Sequence, residues 1–522
     1  MDGSEELLLI KKSKADGPND QAIVSFGWRV YGLTTITLLN VMNFTQQYLL
    51  IVTIFGMANE LEFGETECQV INETEARDYL HDRNITGQKL CAERGRCSEN
   101  STFFLPDVCG IRYTGQGTLY DVLAGPIYLI IQGVAAIPIV GLFQRLSLRP
   151  TFAIGILTVL WTLCTFTTGF VEDYWAIALL RFFFGIFSGP YPPLALGYLS
   201  HIFPKEVHTV VFGIGQYGNP AGYGVSYIFI LVSESMGWRW CYIICGGSGL
   251  ILAVASCFMV VQPRGHHNQN ENTLTPSWSQ LRISLRQIAW SFMIYIILAQ
   301  TALIAVGYVL SFNITLYLVE YFPDFNISLV GVITIIAAFP GCIFGGMVCD
   351  RLRKVAGLRG RIFVTVILMI IPFICGVLIF QTSLTSLVIS FGILTLVAQC
   401  VNLTLLSIIS DLTPMECKLV VFAIAYFSLY SVAGAINLLI TPIASATSFR
   451  LALTILVGTL FGLCLIFLLL SWVTMHIQKV SESQLASRET GKEPRAGEMT
   501  ENTPLVYSHN GLDKDALIGK YS

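Results

Sequence analysis

The chain has 522 residues, of which 54% are hydrophobic and 12% charged, with 45 glycines and a mean hydropathy of +0.64. A soluble globular chain carries roughly 25% charged residues, so the composition argues against a soluble enzyme. A net charge of −3 and a pI near 6.2 supply no cationic field for phosphate backbones, which removes nucleic acid as a partner. What remains is an integral membrane protein.

The apolar residues gather into twelve blocks of membrane-spanning length: 32–57, 120–143, 151–171, 176–199, 210–232, 241–261, 290–318, 329–348, 362–380, 386–409, 419–441 and 451–475. They read as helices, because an open sheet leaves backbone groups unpaired in lipid and the two-residue alternation of a membrane barrel is missing. The expected fold class is an all-α membrane protein with twelve transmembrane helices in two six-helix halves, 28–261 and 290–475.

Residues 1–27 are polar and read as a cytosolic tail, so the first span acts as its own insertion signal. Within them Glu5-Glu-Leu-Leu-Leu9-Ile10 has the spacing that sorting adaptors read, with Glu5, Leu9 and Ile10 as the contacts. The expected address is a lysosomal or late endosomal membrane, with the plasma membrane as the alternative. The outside loop 59–118 carries the glycosylation acceptors Asn72, Asn84 and Asn100, and Asn326 follows span seven. Lys and Arg gather on the opposite side, so cations and acceptors orient the chain alike. The loop also holds Cys68, Cys91, Cys97 and Cys109, an even set expected to form two disulfides in any of three pairings. Paired C-x2-C knuckles are missing, so no metal is expected.

Span four carries Arg181. An arginine inside a span costs about 2.5–3.5 kcal/mol and should face a cavity or a partner; the bland alternative is that it snorkels to the interface. Its anion is Asp121 in span two, Glu320 at the end of span seven, or a substrate phosphate or carboxylate. Asn43, Gln46, Gln300 and Asn402 stand at mid-span, where each either joins helices or faces a ligand. Residues 262–289 are too hydrophilic to pack and form a cytosolic linker; 476–522 read as a disordered cytosolic tail. No phosphate-binding loop, zinc-protease motif or nucleophile elbow occurs, so neither an enzyme nor a cofactor is expected.

Between spans eight and nine the chain reads Gly346-Met-Val-Cys-Asp350-Arg351-Leu-Arg353-Lys354. With six spans on each side of a linker, this resembles the major facilitator superfamily, in which such a cluster implies a latch favouring the outward-facing state. The first-half counterpart has Gln144 in place of the acid. Asn40-Val-Met-Asn43-Phe-Thr-Gln46-Gln47-Tyr48, Tyr120-Asp121-Val-Leu-Ala-Gly125, Arg181-Phe-Phe-Phe-Gly185, Asn219-Pro220-Ala-Gly222-Tyr-Gly224 and Gln262-Pro263-Arg264-Gly265 resemble the spinster-like transporters, chiefly over the first half. The resemblance implies rocking of the two halves about a mid-membrane site lined by spans one, four, seven and ten. It points to Arg181, Asn43, Gln46, Gln300 and Asn402 as substrate contacts and to lipid-derived substrates such as lysophospholipids or sphingoid bases. Membrane lipids, and a proton or ion co-substrate, are the other implied partners.

Three residues at two places depart from that pattern. Gln46-Gln47 replaces Asp-Arg, and Ser188 replaces Glu. A glutamine does not exchange protons near neutral pH, so coupling has moved to another acid or transport is facilitative. Gly185-Ile-Phe-Ser-Gly189-Pro190-Tyr-Pro192 is also similar to the sialin and vesicular glutamate group, which leaves an organic-anion transporter as the alternative. A non-transporting receptor is the third reading.

Overall fold

The computed structural model describes residues 26–70, 109–113, 115, 117–146, 149–203, 207–259, 292–355, 357–380, 383–413 and 418–490. Their helices form twelve rods, called spans one to twelve. Span one is Phe26–Leu61, span two Thr118–Ala124 with Pro126–Arg145, span three Pro150–Thr168, and span four Tyr174–Ser188 with Tyr191–Ile202. Span five is His208–Gln216, Gly218–Ser226 and Phe229–Met236; span six is Trp238–Cys257 and span seven Met293–Tyr321. Span eight is Ser328–Val355, span nine Gly357–Leu378, span ten Leu384–Leu412, span eleven Lys418–Asn437 with Ile440–Ala446, and span twelve Phe449–Thr490.

Ten rods are long and apolar enough to cross a membrane; the breaks in spans two and eleven leave those rods among the ten, whereas spans four and five are divided into shorter helices. The divisions fall where the sequence interrupts the ladder. Pro190, Pro192 and Pro193 supply no N–H donors after Ser188, and Gly218 and Pro220 follow Gln216.

The bundle is apolar outside and polar within. Ile251, Ile336 and Leu231 are exposed on its flanks, whereas Asn43, Gln47, Asp121 and Arg181 are buried. Among the continuous helices, spans one and seven are the most enclosed, with 78% and 72% of their apolar windows buried against 28% for span ten, so they occupy the centre. Each set of six packs on itself, and the halves meet along spans two and eleven and along spans five and eight. Small residues permit those crossings: a Cβ at Gly125 would stand 2.8 Å from the Gly434 carbonyl, and one at Gly331 would stand 2.6 Å from that of Gly224.

Two features depart from the sequence reading. A short antiparallel ladder, β1 (Thr66–Val70) against β2 (Cys109–Tyr113), joins the two ends of the first long loop, with Cys68 opposite Ile111 and Cys109 opposite Val70. Second, the apolar window of span twelve closes at Ile477, close to the expected 475, but the helix does not stop there. It continues to Thr490, the last described residue, through a stretch free of Gly and Pro. The end of the bundle bearing the ladder is called the loop end below, and the opposite one the linker end.

Candidate functional site

Span one presents Asn43 and Gln47 one turn apart on the face turned to the second half. Gln47 Nε2 donates to Asn43 Oδ1 at 2.9 Å, and the Tyr308 hydroxyl of span seven donates to Gln47 Oε1 at 3.4 Å. Deeper in the second half, Gln300 Nε2 donates to Asn402 Oδ1 at 3.3 Å, and Gln216 Nε2 of span five donates to the Tyr426 hydroxyl of span eleven at 3.2 Å. Asn43 Nδ2 and Gln300 Oε1 are buried without a partner in the protein. Around these amides stands an aromatic cluster: Tyr48 lies 5.4 Å from Phe312 and 4.9 Å from Tyr223, and Tyr308 lies 6.1 Å from Tyr430, all centroid to centroid. A cavity of about 110 Å³ opens between spans five, seven, eight and ten, bordered by Asn219, Tyr223, Tyr308, Gln399 and Asn402. A drug-sized ligand requires roughly 300–1,000 Å³, so a larger molecule enters only if the halves separate.

Gln46 does not belong to this group. Its Nε2 donates to the Cys245 carbonyl at 3.1 Å and its Oε1 accepts from Thr165 at 3.3 Å, which ties span one to spans six and three inside the first half. The correction follows from helix geometry, since adjacent residues point about 100° apart and only one of Gln46 and Gln47 can face span seven. Replacing Gln46 by Leu is therefore expected to lower the melting temperature with little change in the apparent affinity for a transported solute. Replacing Gln47 by Leu should do the reverse, and thermal unfolding beside initial uptake rates separates the two.

Arg181 is 7% exposed and surrounded by neutral groups. Nη2 donates to the Gln47 carbonyl at 3.3 Å and Nη1 to the Leu123 carbonyl at 3.5 Å, while the guanidinium carbon stands 5.2 Å from the centre of the Tyr128 ring. Among the described residues no carboxylate makes an ion pair with it. Asp121 is turned elsewhere, its Oδ2 accepting the Thr441 N–H of span eleven at 3.3 Å. Glu320 lies at the loop end of span seven, beside Tyr321 and Arg450. Of the three anions weighed for Arg181, the two protein carboxylates are thus engaged away from it in this conformation. Along the seam of spans two and four, the Tyr128 hydroxyl, the Gln132 amide and Ser188 Oγ are further buried polar groups without partners.

Both ends of the bundle are bridged between the halves. At the loop end the Tyr120 hydroxyl donates to the Phe312 carbonyl at 2.7 Å, beside the Asp121–Thr441 contact. At the linker end Thr209 and Ser407 share a hydrogen bond at 2.9 Å; Arg361 donates Nη2 to Ser407 at 2.9 Å and Nη1 to Asp411 at 2.8 Å. Arg361 is 2% exposed. Charge counting sees it only as one of the linker-side cations, and nothing in the sequence signals its pairing with Asp411. Of the expected latch, Gly346 lies against the backbone of Thr209 and Val210 in ordinary contact, and Arg351 is exposed. The side chains of Asp350, Arg353, Lys354 and Gln144 lie outside the described residues, as do Glu5, Leu9, Ile10, Asn72, Asn84, Asn100, Cys91 and Cys97 and the side chains of Cys68 and Cys109. Asn326 is exposed and accepts the Ser328 N–H at 3.1 Å.

Two sixfold sets of spans meeting at a polar seam are matched, over residues 36–436, by the family model described as Major Facilitator Superfamily. The chain belongs to the Major Facilitator Superfamily. Its facilitator relatives are transporters and not enzymes. One is a probable sphingolipid transporter, spinster homolog 1 of Arabidopsis thaliana, 27% identical over 32% of this chain and 33% of that protein. Another is the sphingosine-1-phosphate transporter SPNS2 of Mus musculus, 27% identical over 33% of this chain and 31% of that protein. The matched stretches thus span about a third of these curated relatives. Among solved structures, the fold is similar to that of a bacterial homolog of the human lysosomal transporter Spinster in an inward-facing, unoccupied conformation. The TM-score is 0.58 at 15% identity, over 86% of this chain and 98% of that one.

Proposed function

We propose that this facilitator is a secondary transporter working by alternating access, and that it moves a lipid-derived amphipathic anion of the sphingoid or lysophospholipid type. The observation that carries the reading is Arg181: a buried guanidinium held by carbonyls and a ring face is a charge awaiting an anion. The amides and tyrosines beside it accommodate a polar headgroup and an apolar chain without a second fixed charge. Sphingolipid transporters among the relatives support that substrate class. Contacts at both ends suit an intermediate between inward-open and outward-open states, which a ligand shifts only by binding the states unequally.

The assignment of sides rests on the cation and acceptor pattern. It puts the loop end in a lumen or outside the cell, with glycans on Asn72, Asn84, Asn100 and Asn326 and two disulfides among Cys68, Cys91, Cys97 and Cys109. It puts the linker and both tails in the cytosol, with adaptors at Glu5, Leu9 and Ile10 directing the protein to lysosomes or late endosomes. Asp350, Arg351, Arg353 and Lys354 near Gly346 serve as the latch.

One observation favours a second reading. The 110 Å³ cavity suits a small organic acid better than a lipid. Uptake into proteoliposomes of labelled sphingosine phosphate, a lysophospholipid, a sugar acid and an amino acid decides between them. Flux of the lipids alone is the expected result, and flux of the small acids alone would overturn it in favour of an organic-anion transporter.

A further inference from the structure

Asp121 is the one aspartate or glutamate buried among the described residues, at 4% exposure, and it sits where the halves touch at the loop end. Its hydrogen bonds come from the other half: Thr441 of span eleven donates its N–H, 3.3 Å from Oδ2, and its hydroxyl. The hydroxyl and N–H of one threonine are thin solvation for an ionised carboxylate, which needs several donors or a cation when it leaves water. The charged and titratable groups around it do not supply that cation. Glu65, beyond span one, faces it with a like charge; Tyr120 turns its hydroxyl to Phe312, and Tyr174 of span four turns its hydroxyl to the Leu119 carbonyl. Arg181 acts on Tyr120 but bonds Gln47 and Leu123. Span eleven contributes the Thr441 amide and hydroxyl and Asn437, none of which titrates in the physiological range.

We infer that Asp121 is a proton-binding site whose occupancy sets the loop-end gate: protonated, it stays buried against span eleven; ionised, it favours separation of spans two and eleven and entry of water. The inference rests on the transporter reading above and deepens it, giving the chain a titrating acid although Gln46 stands where the spinster-like pattern has one. Linkage fixes the direction. A gate that holds the acid dry binds a proton more tightly when closed, so acid at the loop end closes it and alkali opens it.

The test needs no substrate. Spin labels carried by genetically encoded residues at Glu172 and Asp324, exposed positions in the loop-end connections of the two halves, report their separation in nanodiscs between about pH 5 and pH 8. The wild-type protein is expected to move from a short to a long distance as pH rises, the ratio changing by up to about tenfold per pH unit for one proton. Asp121→Asn is expected to remain short throughout, while Asp121→Glu, which retains a titrating group, keeps a pH-dependent transition and guards against an effect of misfolding. A wild-type distance indifferent to pH, or an Asp121→Asn variant that shifts as the wild type does, overturns the inference. Uptake of sphingosine phosphate, measured in parallel, reports separately on the substrate. Flux with flat distances sinks the gate alone, and a pH-dependent distance without flux sinks the substrate class alone.

Discussion

Arg181→Ala is expected to cut uptake of an anionic lipid at least tenfold while leaving a folded protein. A hydrogen bond to a charged group contributes about 1.5–3 kcal/mol, equivalent to a factor of about ten to a hundred and more. The structure explains why the fold should survive: the guanidinium rests on two bonds of 3.3 and 3.5 Å and a ring face, so its removal strands no carboxylate. Arg181→Lys keeps the charge and loses the planar fork, and should fall between the two. Initial uptake rates over a range of lipid concentrations, with melting curves on the same preparations, check this. Uptake unchanged in Arg181→Ala would mean that the arginine only joins helices.

The second large effect is expected at the linker end. Asp411→Asn leaves Arg361 buried at 2% exposure, with its Nη2 still donating to Ser407 but no carboxylate to pair with. Removing one partner of a buried pair costs about 3–5 kcal/mol, and because Asp411 keeps 21% of its side chain exposed the lower figure applies, about 3 kcal/mol. Since Ser407 also bonds Thr209 across the halves, the variant should loosen the linker end as well as melt earlier. Substituting both partners by apolar residues, Arg361→Met with Asp411→Leu, should recover most of the stability without restoring the bridge. Thermal unfolding measures the first effect, and alkylation of a cysteine introduced at Val210, beside the bridge, the second. A double variant as unstable as Asp411→Asn would contradict the argument.

The fold was legible because lipid makes length and hydropathy sufficient: all twelve blocks correspond to rods, including those interrupted at Gly125, Pro190, Gly218 and Leu439. Of the tail expected to be disordered, residues 476–490 are helical, because low hydropathy marks departure from the membrane and not the end of a helix, and this stretch holds no Gly or Pro. The site was legible in part. Arg181, Gln300 and Asn402 stood out as polar groups in apolar spans, and the structure places each at a buried position along the seam. Gln46 was chosen over Gln47 because spacing alone does not reveal which face of span one meets span seven. The tyrosine cluster was overlooked because aromatic residues are ordinary in membrane helices. Its signal was present in the pairs Phe44 and Tyr48, Tyr223 and Tyr227, Tyr308 and Phe312, and Tyr426 and Tyr430, each one turn apart at mid-span. Asp411 and Arg361 lie 50 residues apart, a separation across which charge counting sees two unrelated ions.

The central claim is that the unpaired guanidinium of Arg181 receives the anionic headgroup of an amphipathic lipid between the halves. An electron cryomicroscopy structure of the protein with sphingosine phosphate tests it most directly. The account predicts phosphate density within hydrogen-bond reach of the Arg181 guanidinium, with the chain among Tyr48, Tyr308 and Phe312. Lipid bound only on the outer flanks, with Arg181 still on the Gln47 and Leu123 carbonyls, would contradict it.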